Sequence, residues 1–317
     1  MKKVILGKTN IEVSYVGMGV MPIGPNQLHL PLKEGADVVR YALDRGINFL
    51  DTAQYYRTYP YIREALRGTT HNPVISSKSL TADYGEMMNA IEEARKSLDR
   101  DVIDIFLLHE VRTGQFLQRQ GAWEALNDAK AKGLVRAIGV STHNADVVET
   151  MWQTNDCDVV FPLVNYTGLG IRKGLEAATP EEMMAAIDKC HAAGKGVYAM
   201  KVFGGGNLTT DYQKALDYIT SQSTVDAIMV GFGKSKEIDD IFDYMEGRMA
   251  KGYNPDVSKK RIIIEESNCE GCGNCLKACQ SQAIFYNQAG LAQIDETKCL
   301  TCGYCAPACP TRSIIFY

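Results

Sequence analysis

Residues 104–110 read DIFLLHE, in which four apolar residues lie between Asp104 and His109. A short apolar run bounded by polar residues is typical of a buried strand in a parallel sheet. Seven similar runs occur between residues 13 and 245, and segments with the apolar period of a helix lie between or after them. The eight runs are VSYVGMG (13–19), INFLDTA (47–53), PVISSKS (73–79), DIFLLHE (104–110), AIGVS (137–141), VVFPLV (159–164), GVYAMKVF (196–203) and DAIMVGF (226–232).

Eight strand–helix units in roughly 250 residues predict an α/β protein whose core is a closed (β/α)8 TIM barrel. A doubly wound open sheet usually has fewer strands and carries a Gly-rich dinucleotide turn after its first strand. No G-x-G-x-x-G follows residues 13–19, so the barrel is the better interpretation. The opening VILGKTNIEV (4–13), with Gly7 between apolar pairs, predicts a hairpin that closes the bottom of the barrel.

The charge composition narrows the range of partners. The 317 residues include 34 Lys or Arg and 38 Asp or Glu, which gives a formal net charge of −4. The two signs are interspersed, so the chain has neither a basic stripe for nucleic acid nor a cationic amphipathic helix for a membrane. The first segment, MKKVILGKTN, lacks the apolar stretch of an export signal. These features predict a cytoplasmic protein whose partners are small molecules or redox proteins.

Eight of the ten cysteines lie in two matched runs, CEGCGNCLKACQ (269–280) and CLTCGYCAPACP (299–310). An apolar tail follows each run, which indicates a duplicated unit made of a cysteine loop, a short helix and a strand. The segment before the first run contains Gly, Pro and charge without apolar periodicity, as linkers do. We therefore predict a barrel domain at 1–248, a linker at 249–260 and a small α+β module at 261–317.

The spacing C-x2-C-x2-C-x3-C is typical of paired [4Fe-4S] sites, in which three cysteines bind one cluster and the fourth binds the other. One predicted cluster has the ligands Cys269, Cys272, Cys275 and Cys309, and the other has Cys299, Cys302, Cys305 and Cys279. Zinc sites, the alternative, normally use two separated C-x2-C pairs, and a disulfide scaffold would need an export signal. The module resembles bacterial two-cluster ferredoxins, with Pro310 at the expected position and Gln280 where another proline is usual.

Four polar side chains lie at the ends of neighbouring predicted strands, where barrels build their active sites. Asp51 ends INFLD and is followed in the next loop by Tyr56. Lys78 ends VISSK, and His109 ends IFLLH. Each alone has a structural explanation, such as a helix cap for Asp51 or a hydrogen-bonded core imidazole for His109. Together they predict a site, because Lys78 needs an anion and its charge would lower the pKa of Tyr56.

Several stretches of the first 245 residues resemble the aldo-keto reductase family, here its iron–sulfur-containing branch. They are LGKTNIEVSYVGMG (6–19), GINFLDTAQYY (46–56), ISSKS (75–79), IDIFLLHE (103–110), RAIGVSTHN (136–144) and GFGKSKEI (231–238). The resemblance implies that Tyr56 gives or takes a proton at the carbonyl oxygen and that Lys78 lowers its pKa. It also implies that Asp51 is the partner of Lys78 and that His109 orients the substrate.

The same resemblance implies NADP(H) or NAD(H) as the cofactor, although the contacts depart from the family pattern. Candidate contacts are Ser141 and Asn165 for the nicotinamide amide, Lys201 and Gly205 of MKVFGGGNL (200–208) for pyrophosphate, and Lys234 and Glu237 for the ribose 2′ position. Phe161 and Met200 replace a glutamine and an aromatic residue that commonly touch the nicotinamide. Glu237 stands where an arginine often binds a 2′-phosphate, which a carboxylate repels, while Lys234 and Lys236 could compensate.

These residues predict an oxidoreductase that interconverts a carbonyl compound and an alcohol by hydride transfer and passes electrons through its clusters to a redox protein. A nicotinamide exchanges two electrons as hydride, whereas each cluster passes one, and a flavin is the usual converter. A flavin-dependent or one-electron reductase on the same barrel is therefore one alternative. An electron-transfer protein with a non-catalytic barrel is another, and a third is that the clusters only brace the fold.

Overall fold

The computed structural model describes residues 1–256, 261–279, 282–299 and 305–316. In chain order its strands are β1 (Lys3–Ile5), β2 (Glu12–Ser14), β3 (Val16–Gly19), β4 (Phe49–Asp51), β5 (Val74–Ser79), β6 (Ile103–Leu108), β7 (Val135–Thr142), β8 (Val159–Pro162), β9 (Arg172–Lys173), β10 (Glu176–Ala177), β11 (Gly196–Ala199), β12 (Ala227–Gly231), β13 (Ile262–Ile264), β14 (Ile284–Tyr286), β15 (Ala292–Ile294) and β16 (Ile314–Phe316).

The helices follow the same order. They are α1 (Leu32–Asp44), α2 (Tyr59–Leu66), α3 (Tyr84–Leu98), α4 (Gln115–Gln118), α5 (Gln120–Ala131), α6 (Ala145–Met151), α7 (Pro180–Ala192), α8 (Tyr212–Thr220), α9 (Ser235–Met245), α10 (Asn274–Ala278) and α11 (Cys305–Ala308). Short 3-10 helices lie at Met21–Ile23, Gln54–Tyr56, Thr209–Asp211 and Glu266–Asn268. Over the part of the chain that the structure describes, no helix combines the length and apolar character needed to cross a bilayer.

Eight parallel strands form a closed barrel in the order β3, β4, β5, β6, β7, β8, β11 and β12, and β12 pairs with β3 to complete it. Each of the eight apolar runs of the sequence contains one of these strands, so the predicted TIM barrel is confirmed. Helix α7 begins at a capping box. Thr179 Oγ1 accepts a hydrogen bond from Glu182 N–H at 3.2 Å, and the Glu182 carboxylate accepts one from Thr179 N–H at 3.0 Å.

One apolar layer lies between the strands and the helices, and a second fills the barrel. The second layer includes Phe49, Val74, Ile105, Leu107, Ala137, Val159, Tyr198 and Ala227. Leu6 and Val13 of the β1–β2 hairpin join this inner layer. Gly7 adopts φ +47°, and a Cβ on it would lie 2.4 Å from the backbone nitrogen of Gly196, where β11 begins. The hairpin therefore closes the bottom of the barrel, as the sequence predicts.

The cysteine-rich segment forms two antiparallel strand pairs, β13 with β16 and β14 with β15. Helices α10 and α11 precede β14 and β16, so the predicted repeat of helix and strand is present in both halves. A small core holds the strands together through Ile262, Ile284, Ala292 and Ile314. Residues 261–317 are called the module below. The predicted domain limits at 248 and 260 stay predictions.

Candidate active site and cluster module

The barrel carries the four predicted polar residues at the carboxyl ends of its strands. Asp51 is the last residue of β4, and Tyr56 ends the 3-10 helix that follows it. Lys78 lies one residue before the end of β5, and His109 directly follows β6. These three strands are neighbours in the sheet, so the structure brings the four side chains together. We call Asp51, Tyr56, Lys78 and His109 the tetrad.

Lys78 and Asp51 form a buried ion pair. Lys78 Nζ donates to Asp51 Oδ2 at 2.7 Å and to the carbonyl oxygen of Thr52 at 2.8 Å. Burial lowers the pKa of Lys78 and raises the pKa of Asp51, and the pairing opposes both shifts. Removal of either partner would leave the other charge buried and unpaired, so the two residues act as a unit.

Tyr56 and His109 face each other beside this pair. Tyr56 Oη lies 3.3 Å from His109 Nε2, and the rings meet edge to face with centroids 5.4 Å apart. Burial, followed by repulsion from Asp51, raises the pKa of Tyr56 well above its usual range. Burial, followed by the charge of Lys78, holds the pKa of His109 well below its usual range. Near neutral pH the site therefore contains a phenol and a neutral imidazole.

The expected lowering of the Tyr56 pKa by Lys78 is not found. Lys78 Nζ lies 4.9 Å from the centre of the Tyr56 ring, but its hydrogen bonds go to Asp51 and to the backbone of Thr52. Asp51 therefore balances the ammonium charge, and burial of the phenol is the larger effect. In this arrangement Tyr56 is suited to donate a proton.

Arg119, which sequence reasoning missed, supports the tetrad from the junction of α4 and α5. Its buried guanidinium donates to the carbonyl oxygens of His109 and Ser79, each at 2.8 Å. These two residues follow or end β6 and β5, so Arg119 fixes the strand ends that carry His109 and Lys78. No periodicity or motif around Arg119 marks this role, because its partners are distant backbone atoms.

A cavity of about 440 Å³ opens from Asp51 and Tyr56 of the tetrad toward the module. The barrel contributes Asp51, Tyr56 and the loops after β11 and β12 to its lining, and the module contributes Arg261, Glu265, Ile315 and Phe316. The site is therefore composite, with walls from both parts of the chain.

Glu265 is the second residue that sequence reasoning missed. Its side chain is buried, and its Oε2 lies 3.6 Å from Lys201 Nζ. Asn268 Nδ2 donates to the same oxygen at 2.6 Å, and the Glu265 N–H donates to Ser313 O at 2.7 Å. Glu265 also contributes to the repulsion that raises the pKa of Tyr56. A carboxylate of the module thus influences the barrel site.

The two side chains expected to contact a nicotinamide amide are hydrogen-bonded to nearby backbone. Ser141 Oγ accepts a hydrogen bond from Glu110 N–H at 2.8 Å. Asn165 is bonded to the backbone of Leu169 in both directions, at 2.9 Å through Oδ1 and 3.0 Å through Nδ2. Both side chains are buried and neither lines the cavity. They hold loops in this structure.

The glycine loop expected to bind pyrophosphate is covered by the last strand of the module. The Phe316 N–H donates to Gly205 O at 2.9 Å. A Cβ on Gly205 would lie 2.9 Å from Ile315 Cδ1, and one on Gly206 would lie 2.3 Å from Phe316 O. Glycine is therefore needed in this loop because β16 packs directly against it.

The residues expected near the ribose 2′ position mostly contact protein groups. Glu237 Oε2 accepts a hydrogen bond from Gly233 N–H at 2.7 Å, at the start of α9, and burial raises the Glu237 pKa. Lys236 forms an ion pair with Asp240. Lys234 lines the cavity. The negatively charged group that accepts the hydrogen bond at the start of α9 is therefore the protein's own Glu237.

All four cysteines of the first predicted set belong to the described residues. Cys275 and Cys309 lie in the small core of the module, and Cys269 packs against it. Burial, and then the neighbouring thiols of Cys309, Cys269 and Cys272, raise the pKa of Cys275 to about 11. Among the described residues no group of three or more such side chains is arranged to hold a metal ion, so the crossed ligation stays a prediction.

The second set is described in part, because Cys302, like Gln280, lies outside the described residues. Cys279, Cys299 and Cys305 lie in the small core of the module. Three cysteine sulfurs accept hydrogen bonds from backbone N–H groups. Cys279 accepts from Ala283 at 3.3 Å, Cys269 from Ala292 at 3.4 Å, and Cys309 from Ser313 at 3.3 Å. Hydrogen bonds to sulfur stabilise thiolates and tune cluster potentials, so these cysteines fit [4Fe-4S] ligation.

The first cysteine loop is also tied to the barrel. Glu270, which directly follows Cys269, accepts hydrogen bonds from Arg112 Nη1 at 3.2 Å and from Arg172 Nη1 at 3.1 Å. Arg112 follows β6, and Arg172 begins β9. The module is therefore attached at the same end of the barrel as the tetrad.

The structure thus joins a (β/α)8 barrel with this tetrad to a module whose cysteines have cluster-type spacing. The aldo/keto reductase family model matches residues 15–215, more than half of the chain, and the chain belongs to that family. A 4Fe-4S dicluster domain model matches residues 257–313. The family and module predictions are thereby confirmed.

Individual relatives are distant. The 2,5-diketo-D-gluconic acid reductase B of Corynebacterium sp. (strain SHS752001) is 32% identical over 126 residues, 37% of this chain and 44% of that protein. L-galactose dehydrogenase of Arabidopsis thaliana is 23% identical over 275 residues, 74% of this chain and 85% of that protein. The holo form of aldo-keto reductase AKR11C1 from Bacillus halodurans matches in structure with a TM-score of 0.64 at 18% identity, covering 78% of this chain and 91% of that one. The chain spans about half the length of the first curated relatives that it matches.

Proposed function

We propose that the barrel interconverts a small carbonyl compound and the corresponding alcohol at Tyr56, and that two [4Fe-4S] clusters of the module exchange electrons with this site. The observation that carries the proposal is the Tyr56–His109 pair, 3.3 Å apart beside the buried Lys78–Asp51 pair, with Tyr56 and Asp51 lining one cavity. Relatives named as reductases and as a sugar dehydrogenase support a small polar substrate.

Proton transfer follows from the protonation states of the tetrad. A substrate carbonyl oxygen at the cavity floor would accept a hydrogen bond from Tyr56 Oη. It would accept a second one from His109 Nε2 when the neutral ring carries its proton on that nitrogen. As negative charge develops on that oxygen, Tyr56 gives it a proton. Alcohol oxidation runs through the same positions in reverse. The raised pKa of Tyr56 keeps its proton available until the more basic alkoxide forms.

The cysteine ligands support the electron-transfer part of the proposal. Carbonyl reduction consumes two electrons and two protons, and bound clusters supply electrons singly. The ligands would be the two predicted sets of four cysteines. Glu270 next to Cys269 and the β16 contact to Gly205 would keep the module on the barrel mouth.

Replacement of Tyr56 by Phe tests the proposal in anaerobically purified protein. Turnover of a panel of small aldehydes and ketones, with dithionite-reduced viologen or NADPH as donor, is expected to fall by at least ~100-fold in kcat/KM, because the general acid is lost. The visible spectrum of the clusters should not change.

Tyr59→Phe is the matched control. Tyr59 is also buried, but its hydroxyl lies 2.7 Å from Ser77 Oγ and it does not line the cavity. Its turnover should stay within a few-fold of wild type. Full activity in Tyr56→Phe would instead favour an electron-transfer protein with a non-catalytic barrel.

A further inference from the structure

Phosphate groups in (β/α)8 barrels bind at the loops after the seventh and eighth strands and at the N-terminus of the helix that follows. In this barrel those strands are β11 and β12. The corresponding segments are residues 200–208, which contain the glycine loop, and residues 232–235, which lead into α9. The pyrophosphate and ribose groups of a nicotinamide dinucleotide would have to bind at these two segments. Their structure therefore decides whether the dinucleotide fits this barrel.

The first segment is occupied by the module. Strand β16 bonds to the carbonyl oxygen of Gly205 through the Phe316 N–H at 2.9 Å. The Phe316 carbonyl lies so close to Gly206 that even a methyl group there would meet it at 2.3 Å. A pyrophosphate is much larger than a methyl group. The side of the loop that meets β16 is therefore closed to a pyrophosphate, and only the side of Gly205 and Gly206 that lines the cavity stays open.

The second segment is occupied by a carboxylate of the chain itself. Glu237 accepts the hydrogen bond of Gly233 N–H at 2.7 Å, the kind of backbone donor that a phosphate would use at a helix start. A phosphate there would lose this donor and would be repelled by Glu237. The Glu237 carboxylate therefore occupies the position at the helix start where a phosphate would otherwise bind.

Lys201 Nζ lies 3.6 Å from Glu265 of the module, and it has no hydrogen-bond partner among the described residues. Its charge is therefore balanced in part by a carboxylate of the module. Ser141 and Asn165 are hydrogen-bonded to nearby backbone. A bound nicotinamide dinucleotide would have to displace β16 from the glycine loop and Glu237 from Gly233 N–H, so the two segments as they stand do not fit it.

We propose that the module takes the place of the dinucleotide in this barrel, so that the substrate in the cavity between Tyr56 and β16 receives its electrons one at a time from the module. This inference rests on the proposed function for the role of Tyr56. The C=O π bond breaks and an O–H and a C–H bond form. Tyr56 gives the proton on oxygen, and solvent gives the proton on carbon. The two electrons originate from a low-potential one-electron donor that reduces the module.

Nucleotide binding to the anaerobic holoprotein tests the inference without any need for turnover. Titration with NADPH and with NADH, followed by nucleotide fluorescence and calorimetry, should show no saturation up to ~1 mM, the upper end of ordinary enzyme affinities. Saturable binding with a Kd below ~100 μM would overturn the inference. The Tyr56→Phe experiment tests only the proposed function, and nucleotide binding tests only this inference. Failure of one can therefore be distinguished from failure of the other.

The Glu237→Arg variant distinguishes the two obstacles to dinucleotide binding, which are the Glu237 carboxylate and strand β16. It removes the carboxylate and supplies a phosphate-binding cation, but β16 still covers Gly205 and Gly206. NADPH should therefore still not bind to it, and the hydrogen-exchange rate of the Phe316 amide should not change when NADPH is added. NADPH binding by this variant, or faster exchange of that amide, would contradict the role of β16.

Discussion

Burial decides the protonation state of the ionisable groups around Tyr56. It is the largest contribution to the raised pKa of Tyr56 and to the lowered pKa values of His109 and Lys78. Residues of the module line the same cavity as Tyr56, and burial favours the neutral forms of these groups. Glu265 of the module also raises the Tyr56 pKa by repulsion.

The buried Glu110 carboxyl provides a test of this effect of burial, through the pH dependence of the unfolding free energy. Burial raises its pKa from 4.5 to about 7, although Arg112 lies 3.2 Å away and opposes the shift. The folded protein keeps a proton that the unfolded chain loses, so this carboxyl stabilises the fold at low pH and loses that effect as the pH rises from about 4.5 to about 7. We expect Glu110→Gln to remove a fall of about 3 kcal/mol in unfolding free energy across that window.

Urea unfolding at several pH values between 4.5 and 8 measures this fall. The exposed Glu124→Gln variant, which makes the same charge change on α5, should keep the wild-type slope. An unchanged slope in Glu110→Gln would show that other groups cause the pH dependence.

The tetrad residues could be predicted because each ends, or closely follows, an apolar strand, and strand ends of a parallel barrel meet at one rim. Arg119 and Glu265 could not be predicted in this way. Arg119 binds backbone carbonyl oxygens of two strands, and Glu265 reaches Lys201 only after the module has folded onto the barrel. The sign of the Tyr56 pKa shift also depended on burial, which no pattern of residue types reports.

At the scale of elements, strands and helices were predictable from their apolar periods, whereas the use of the loops was not. The three glycines of residues 204–206 suggested a phosphate cradle. Their positive φ angles, from +57° to +85°, do require glycine, but the neighbour that packs on Gly205 and Gly206 is β16. The same local geometry serves either a ligand or a strand, and only the fold of residues 314–316 distinguishes the two.

Gly206→Ala tests the contact between this loop and β16. Gly206 has φ +85°, and its new Cβ would also collide with Phe316 O. Gly174→Ala is the control, since Gly174 has φ +61° and open space around it. Both variants should lose about 1 kcal/mol of stability from backbone strain, and Gly206→Ala should lose a further 1–3 kcal/mol, roughly the cost of overpacking.

Thermal unfolding and hydrogen exchange at Phe316 measure the difference between the two glycine variants. Faster exchange of the Phe316 amide is expected in Gly206→Ala alone, because its bond to Gly205 O is disturbed. Equal effects of both variants would mean that β16 can move away from the loop without cost.

At the scale of the whole molecule, the predicted crossed cysteine sets would connect the two halves of the module. We expect iron and acid-labile sulfide each to approach about eight per chain in anaerobic protein, from two four-iron cubes. Cys309→Ser should impair the cluster of Cys269, Cys272 and Cys275 and lower the iron content toward about four. Zinc at one or two per chain, or damage confined to the cluster of Cys299 and Cys305, would contradict this ligation.

The composite cavity also limits how this chain can be rebuilt or can evolve. Because Glu265, Ile315 and Phe316 form its wall against Lys201 and the glycine loop, the two parts cannot be exchanged independently. A module grafted from another protein would arrive without those wall residues and would meet a loop shaped for a different strand. Recombination between related genes should therefore preserve activity only when both segments are inherited together.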